Sequence, residues 1–341
     1  MVEEADAAVI PVHKGIDVGT NMMVSGYMND NGEAVFHSQR DAFYRIDYKS
    51  EVNSNLIKIS LDKRDIDYVV DSDGAFTVIG DDALDIAIER RGVAERPLSK
   101  GVISPKSKKS LPIIKLIIKS LLGEAVPGSK VVYSVPATPI DDEVDTLYHT
   151  EILNQYLESL GYIPKPINEA FAVGLSELLN DGLTGLTCSL GAGMTNFNVI
   201  VGGDPLISFG TAKSGDYIDN GVAIALDMSP SDVLREKEFH TDLYNPNGDI
   251  AAAIAVYYNN VIKYTLESIA YELKRNEKKL PVFKEGVPFI VSGGLTLADG
   301  FVGKFEECLN KIDFPIKISE VRKAADPMTA CANGALLAAN L

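Results

Sequence analysis

Gly15-Ile16-Asp17-Val18-Gly19-Thr20 opens the run HKGIDVGTNMMVSGYMNDNGEAVFHS at residues 13–38. That run reads as strand, tight glycine turn, strand, Asn-Asp-Asn-Gly turn and strand. The pattern returns about half a chain later. Leu186–Leu190 is an apolar strand, Gly191-Ala192-Gly193 a turn and Thr195–Val201 a second strand. Gly202-Gly203-Asp204 turns again, and Leu206–Ala212 completes the meander. A three-stranded meander followed by helices thus occurs twice, which is an internal repeat.

The two turns carry chemistry. Glycine lets the backbone approach a ligand, and successive N–H groups form a nest for an anion. Asp17 beside such a nest would repel bare phosphate, so the pairing makes sense when a divalent cation sits between them, usually through water. Thr20 adds a hydroxyl donor. Ser189-Leu190-Gly191-Ala192-Gly193-Met194-Thr195-Asn196 repeats the logic. Either turn alone also reads as an ordinary hairpin; two facing nests can grip a polyphosphate from both sides. No G-x-x-x-x-G-K-[ST] loop is present, and Asn196 stands where a dinucleotide fingerprint needs glycine.

The rest of the chain sets the frame. Its 341 residues, 46% hydrophobic, suit two domains of ordinary size. No run approaches the ~18 apolar residues of a membrane-spanning helix. The acidic start MVEEADAAVIPVH has no secretory pattern and is expected to be a disordered lead-in over residues 1–12. A net charge of −16 opposes binding to nucleic acid or anionic membrane. Cys188, Cys308 and Cys331 lack metal or disulfide spacing and read as core filler in a reducing, cytoplasmic compartment. His13, His37, His149 and His240 form no ligand-spaced pair.

Between the meanders, residues 40–99 read as short strands and turns, with a strand at Phe76–Ile79 and a helix at Asp81–Arg91. Residues 105–122 form an amphipathic helix whose isoleucine and leucine face suits a core. Val131–Val135 is a buried strand; Asp141–Leu160 and Ile167–Asn180 are helices. After the second meander come helices at Gly215–Asp227, Ser231–His240 and Asp249–Asn276. The last of these has Ile250, Ile254, Tyr257, Val261 and Tyr264 on one stripe. Pro288–Val291 is a strand feeding Ser292-Gly293-Gly294, and Met328–Leu341 is a helix of small residues suited to close packing.

In this order the motifs support a name. The chain resembles the superfamily of actin, sugar kinases and DnaK-type chaperone ATPases, most closely the prokaryotic actins of the MreB and MamK type. GIDVGT resembles the first phosphate motif. VIGDDALDIA followed by RPLSKGVI resembles the MreB-type stretch that closes the small subdomain. INEAFAVGL at 167–175 and ACANGALLA at 330–338 resemble the two connecting helices. SLGAGMTNFNVIVGG resembles the second phosphate motif, SGDYID the helix start after it, and VSGGLTLADGF at 291–301 the adenosine motif.

The resemblance implies an α/β actin-like fold: two RNase H-like domains around a central nucleotide cleft, each with a smaller inserted subdomain. Domain I would be 13–180, with large part 13–39 and 98–180, inserted part 40–97, and 326–341 returning to it. Domain II would be 181–325, with large part 181–213 and 285–325 and inserted part 214–284. The implied ligands are ATP or ADP with Mg2+. Asp17 would hold the metal through water. Gly19, Thr20 and Asn21 would line the phosphates from one side, and Ser189, Gly191, Gly193, Met194 and Thr195 from the other. Glu169 would position the attacking water. Gly293, Gly294 and Leu295 would approach the adenosine, Asp216 would stand at the helix start after the second meander, and Asp232 and Arg235 would match an E-x-x-K pair at ribose and base.

One departure stands out. The family's second phosphate motif usually begins with Asp, and here it begins with Ser189. Serine hydrogen-bonds a metal-bound water but adds no charge, so nucleotide binding is expected to persist with weaker metal affinity or hydrolysis. The expected function is a cytoskeletal ATPase, slow in turnover, that polymerises head-to-tail with nucleotide. The alternatives are a non-polymerising FtsA- or PilM-like adaptor and a small-molecule kinase. The chain ends soon after the second connecting helix, in ACANGALLAANL, without the basic amphipathic helix expected of an FtsA-like chain.

Overall fold

The computed structural model describes residues 10–71, 73–103, 110–239 and 241–341. The first half begins with the meander β1 (Lys14–Val18), β2 (Met22–Met28) and β3 (Ala34–Arg40). There follow β4 (Phe43–Ile46), α1 (Glu51–Lys63), β5 (Tyr68–Val70), β6 (Phe76–Ile79), α2 (Asp81–Glu89), β7 (Leu98–Ser99), β8 (Val102–Ile103), α3 (Ser110–Leu122), β9 (Lys130–Val135), α4 (Thr146–Ser159), β10 (Ile163–Asn168) and α5 (Glu169–Glu177). The second half runs β11 (Gly185–Leu190), β12 (Thr195–Val201), β13 (Asp204–Thr211), α6 (Gly215–Leu226), α7 (Pro230–Phe239), α8 (Asp249–Arg275), β14 (Val287–Ser292), α9 (Phe301–Leu309), β15 (Ile318–Lys323) and α10 (Ala330–Ala339).

Two five-stranded sheets result, ordered β3-β2-β1-β9-β10 and β13-β12-β11-β14-β15. In each, the meander is antiparallel and the last two strands run parallel to its first. The repeat in the sequence is therefore a repeat in topology. Parallel strands need crossovers, and α3, α4, the α6–α8 group and α9 supply them. The core of the first half gathers Ile16, Val18 and Met23 with Ile113, Ile114, Ile117 and Ile118 of α3. The core of the second gathers Phe197, Phe289, Phe301 and Phe305 with the buried face of α8. A small three-stranded sheet, β4-β6-β5, packs on α1 and α2 in a separate cluster.

Several local readings change. Helix α1 falls in a stretch read as strands and turns. Ser50 caps it, its side chain accepting from the Asn53 N–H at 3.2 Å, and Ile57 and Leu61 alone are buried, so its apolar period is thin. Helix α4 begins only at Thr146, because Asp145 is its cap and Asp141 accepts from the Ala212 N–H in the other half. Strand β10, IPKPIN, was hidden inside a stretch carrying two prolines. It is a sheet edge, where a missing N–H costs no ladder bond. The buried stripe of α8 is Ile254, Tyr258, Val261, Thr265 and Ile269, turned slightly from the expected one; Tyr257 and Tyr264 lie beside it. The start of the 105–122 helix and residues 1–9 of the expected lead-in lie outside the described residues. Val12 is already anchored, its N–H donating to Ser129 Oγ at 2.9 Å.

Between the sheets, α5 and α10 pack together, and α10 also lies on β1. The contact is backbone-close. A Cβ on Gly334 would meet the Ala172 carbonyl group, and one on Gly15 would meet the backbone of Leu336 and Ala332. Small residues in α10 serve this approach.

Candidate functional site

The turn after β1 and the turn after β11 face each other across a cavity of about 470 Å³. Their register matches. Asp17 pairs with Val24 one step before the first turn, and Ser189 pairs with Asn196 one step before the second. Ser189 thus occupies the position of Asp17 in the repeated unit. The turns also touch. The Gly101 N–H donates to Thr20 Oγ1 at 3.1 Å, and a Cβ on Gly193 would stand 2.7 Å from that same Gly101 nitrogen. Only glycine at 193 allows the hairpins this approach.

The cavity is lined by Asp17, Gly19, Thr20, Asn21, Glu169, Ser189, Gly191, Gly193, Met194, Gly293, Gly294 and Leu295 from the sequence reading. At Gly293 the backbone has φ +91°, and a Cβ would meet the Leu190 backbone carbon at 2.7 Å. Glycine is needed there for both reasons.

Four expected residues lie elsewhere. Thr195 is buried beneath the second turn, its Oγ1 donating to Ser214 Oγ at 3.0 Å, and Ser214 Oγ donates to the Gly191 carbonyl at 2.6 Å. It braces the turn and does not line the cavity. Asp216 is paired with Arg96 at 2.8 Å, outside the lining. Asp232 and Arg235 pair with each other at 3.6 Å on the exposed side of α7. The face of α7 that lines the cavity is Leu234, Lys237 and Glu238. The i, i+3 spacing suited both faces; Val233, buried in the core, fixes which one turns inward.

Two carboxylates sit at the floor. Asp17 Oδ1 accepts from Ser134 Oγ at 2.6 Å, and the Cys331 thiol lies beside it. Burial pushes the Asp17 carboxyl up, and the two hydrogen-bonding side chains oppose that. Glu169 opens α5, whose cap is the Asn168 side chain. Its Oε2 accepts from Asn196 Nδ2 at 2.7 Å, and Asn196 Oδ1 accepts from the Ala137 N–H at 2.7 Å. Burial first, then repulsion from Asp17, raise the Glu169 carboxyl. A buried asparagine from the second half therefore sets the rotamer of an acid from the first.

The sequence reading missed Arg40, Lys237, Glu238, Asn196 and Cys331. Cys331 is more than core filler, since it lines the cavity against Asp17. Asn196 ends the second phosphate motif and was legible as part of it. Arg40 closes the first meander in register with Met22, beside the turn, whereas α7 is remote from the motifs and only folding brings it to the cleft.

Charge in the cavity is lopsided. Asp17, Glu169, Glu238 and Asp299 line it against Arg40 and Lys237. Both cations are engaged: Arg40 with Glu238 and Asp81, Lys237 with Asp219 at 2.6 Å in a pair that is almost fully buried. Among the described residues no group of histidine, cysteine and carboxylate side chains could hold a metal ion unaided, and no helix is long and apolar enough to cross a membrane.

Solved structures share this architecture. The MamK double helical filament superposes with a TM-score of 0.69 at 17% identity, over 97% of this chain and 99% of that one. MreB 5 of Spiroplasma citri bound to AMPPNP gives 0.67 at 16% identity, over 96% of each chain. The ethanolamine utilization protein EutJ from Carboxydothermus hydrogenoformans gives 0.55 at 15% identity, over 96% of this chain and 90% of that one. The fold is thus the actin-like fold of two mixed α/β domains. No curated protein matches the chain by sequence. The family model described as Volactin matches residues 12–339, nearly the whole chain, which therefore belongs to that family.

Proposed function

We propose that this member of the Volactin family is an actin-like cytoskeletal protein that binds ATP with a divalent cation in its cleft and polymerises head-to-tail, hydrolysing the nucleotide slowly. The observation that carries this reading is the pair of register-matched glycine hairpins facing one cavity. Backbone N–H groups at Gly19–Asn21 and Ala192–Met194 suit phosphate oxygens, the Gly191 N–H being held by the Met194 carbonyl at 3.0 Å. Gly293, Gly294 and Leu295 suit the nucleoside. A filament and a nucleotide complex among the solved structures of this fold lend support.

The residues present fit a divalent cation that arrives with its ligand. A polyphosphate entering a cleft with more carboxylates than cations, both cations already paired, needs its charge offset. Asp17 would hold the ion through water, and the ligand's own oxygens would complete a shell that the protein alone does not supply. When bound, the ion offsets charge that develops on the phosphates. Glu169, held by Asn196, is the group to orient the attacking water. Ser189 brings a hydroxyl where a second carboxylate is expected, which favours binding over rapid turnover.

Packing of α10 on α5 and β1 supports a division in which residues 326–341 return to domain I. Three free cysteines suit a reducing cytoplasm, and the net charge of −16 weighs against nucleic acid as a partner. Polymerisation is tested by pelleting and negative-stain microscopy with Mg·ATP, Mg·ADP and no nucleotide. Nucleotide-dependent filaments are the expected result. Their absence across salt and nucleotide conditions would leave a non-polymerising adaptor of the same fold.

A further inference from the structure

The cleft mouth holds a group that the phosphate turns and Glu169 do not account for. Arg40, at the end of β3, donates from Nη1 to Asn21 Oδ1 at 3.1 Å and to Glu238 Oε1 at 3.1 Å. Its Nη2 donates to Glu238 Oε2 at 3.2 Å, and its Nε to Asp81 Oδ1 at 3.0 Å. Asn21 closes the triangle, donating from Nδ2 to Glu238 Oε1 at 2.9 Å. One corner is a sheet strand of the first half, one is the first glycine turn, and one is α7 of the second half. All three side chains line the cavity.

An exposed ion pair would carry little weight. This one differs in two respects. The Arg40 side chain is only 16% exposed, and it meets Glu238 through both carboxylate oxygens. A planar guanidinium fork is strict about geometry, so it holds only while Asn21 and Glu238 keep their mutual placement. A second arginine–carboxylate tie between the halves, Arg96 to Asp216, lies outside the cavity lining and has no corner in a phosphate turn.

We propose that Arg40 is a positioning residue that couples the first glycine turn to α7, so that seating a polyphosphate on the turn and closing the second half over it are one event. The proposal rests on the nucleotide reading above. Arg40 contributes geometry to the cleft, while contacts to the phosphates belong to the turns. Lysine cannot replace it, because an ammonium cannot span Asn21 and both Glu238 oxygens in one plane.

Two measurements test this. The first is equilibrium titration of a fluorescent Mg·ATP analogue into wild type, Arg40→Ala, Glu238→Ala, the double variant, Arg40→Lys and Asp81→Ala. Each alanine at the tie is expected to weaken binding about tenfold, with the double variant no weaker than either single. Arg40→Lys should match Arg40→Ala, whereas Asp81→Ala, which removes an exposed partner on Arg40's own half, should change affinity by less than about twofold. The second is hydrogen exchange on ligand-free protein: Arg40→Ala should speed exchange in residues 19–22 and 230–239 together. Unchanged affinity, losses that multiply in the double variant, rescue by lysine, or faster exchange in one segment only would overturn the coupling. If wild type fails to bind Mg·ATP, the nucleotide reading falls and the exchange result alone decides whether Arg40 joins the two segments.

Discussion

Replacing Gly334 by alanine puts two known energies against each other. In the interior of α10, alanine is favoured over glycine by ~1 kcal/mol of helix propensity. The added Cβ, however, would stand 2.9 Å from Ala172 Cα, with that residue's carbonyl carbon and oxygen closer still. Those atoms are backbone of α5 and have no rotamer in which to retreat, so the helices must part. Overpacking of this kind costs ~1–3 kcal/mol or more, and a clash with backbone belongs at the upper end. The net expectation is a loss of ~1–3 kcal/mol. Gly174→Ala is the matched control. Its Cβ also collides, but with Ile200 Cδ1, the far end of a flexible side chain. That methyl can turn away, and the variant should lie within ~1 kcal/mol of wild type. Urea unfolding followed by circular dichroism reads both as midpoint shifts at constant slope. Because α5 carries Glu169 and α10 carries Cys331, Gly334→Ala should also weaken nucleotide binding. A Gly334→Ala protein as stable as wild type, or more so, would refute the claim that a backbone contact sets the α5–α10 spacing.

Three further outcomes follow from the site and its surroundings. Ser189→Asp restores a carboxylate opposite Asp17 and should tighten metal dependence and raise ATP turnover; unchanged turnover would mean that the serine is not what limits it. Asn196→Ala strips the Ala137 N–H and the Glu169 carboxylate of their partners and should lower turnover more than nucleotide affinity, with a stability loss of ~2–5 kcal/mol; equal losses in both readouts would argue against Asn196 holding Glu169 for chemistry. His149 is buried, its Nδ1 accepting from the Ile103 N–H at 3.2 Å, and burial pushes its pKa from 6.5 down to about 4. The unfolded chain therefore binds the proton first. The stability this group protects is fully present above pH 6.5 and is lost, by ~3 kcal/mol at most, as pH falls through about 4. Denaturation midpoints from pH 7 to 4 should fall less steeply in His149→Asn, and parallel curves would exclude this titration.

The sequence by itself determined the repeated meander and the two glycine turns with Asp17 beside the first, while the expectations for Glu169 and Ser189 came from the resemblance. Those features are local: strand alternation, turn glycines and their neighbours lie within a few residues of one another, so their spacing is visible along the chain. Tertiary structure alone decided which face of α7 turns inward, because Asp232/Arg235 and Leu234/Lys237 have the same spacing and only burial of Val233 separates them. It also decided that Arg40, Asn21 and Glu238 meet, that Asn196 from one half grips Glu169 from the other, and that Cys331 stands beside Asp17. Glu238 and Cys331 are separated from their partners by much of the chain, and Asn196 reaches Glu169 from the other half. Their proximity is set by how two sheets and the α5–α10 pair close on each other, and no local period records that closure.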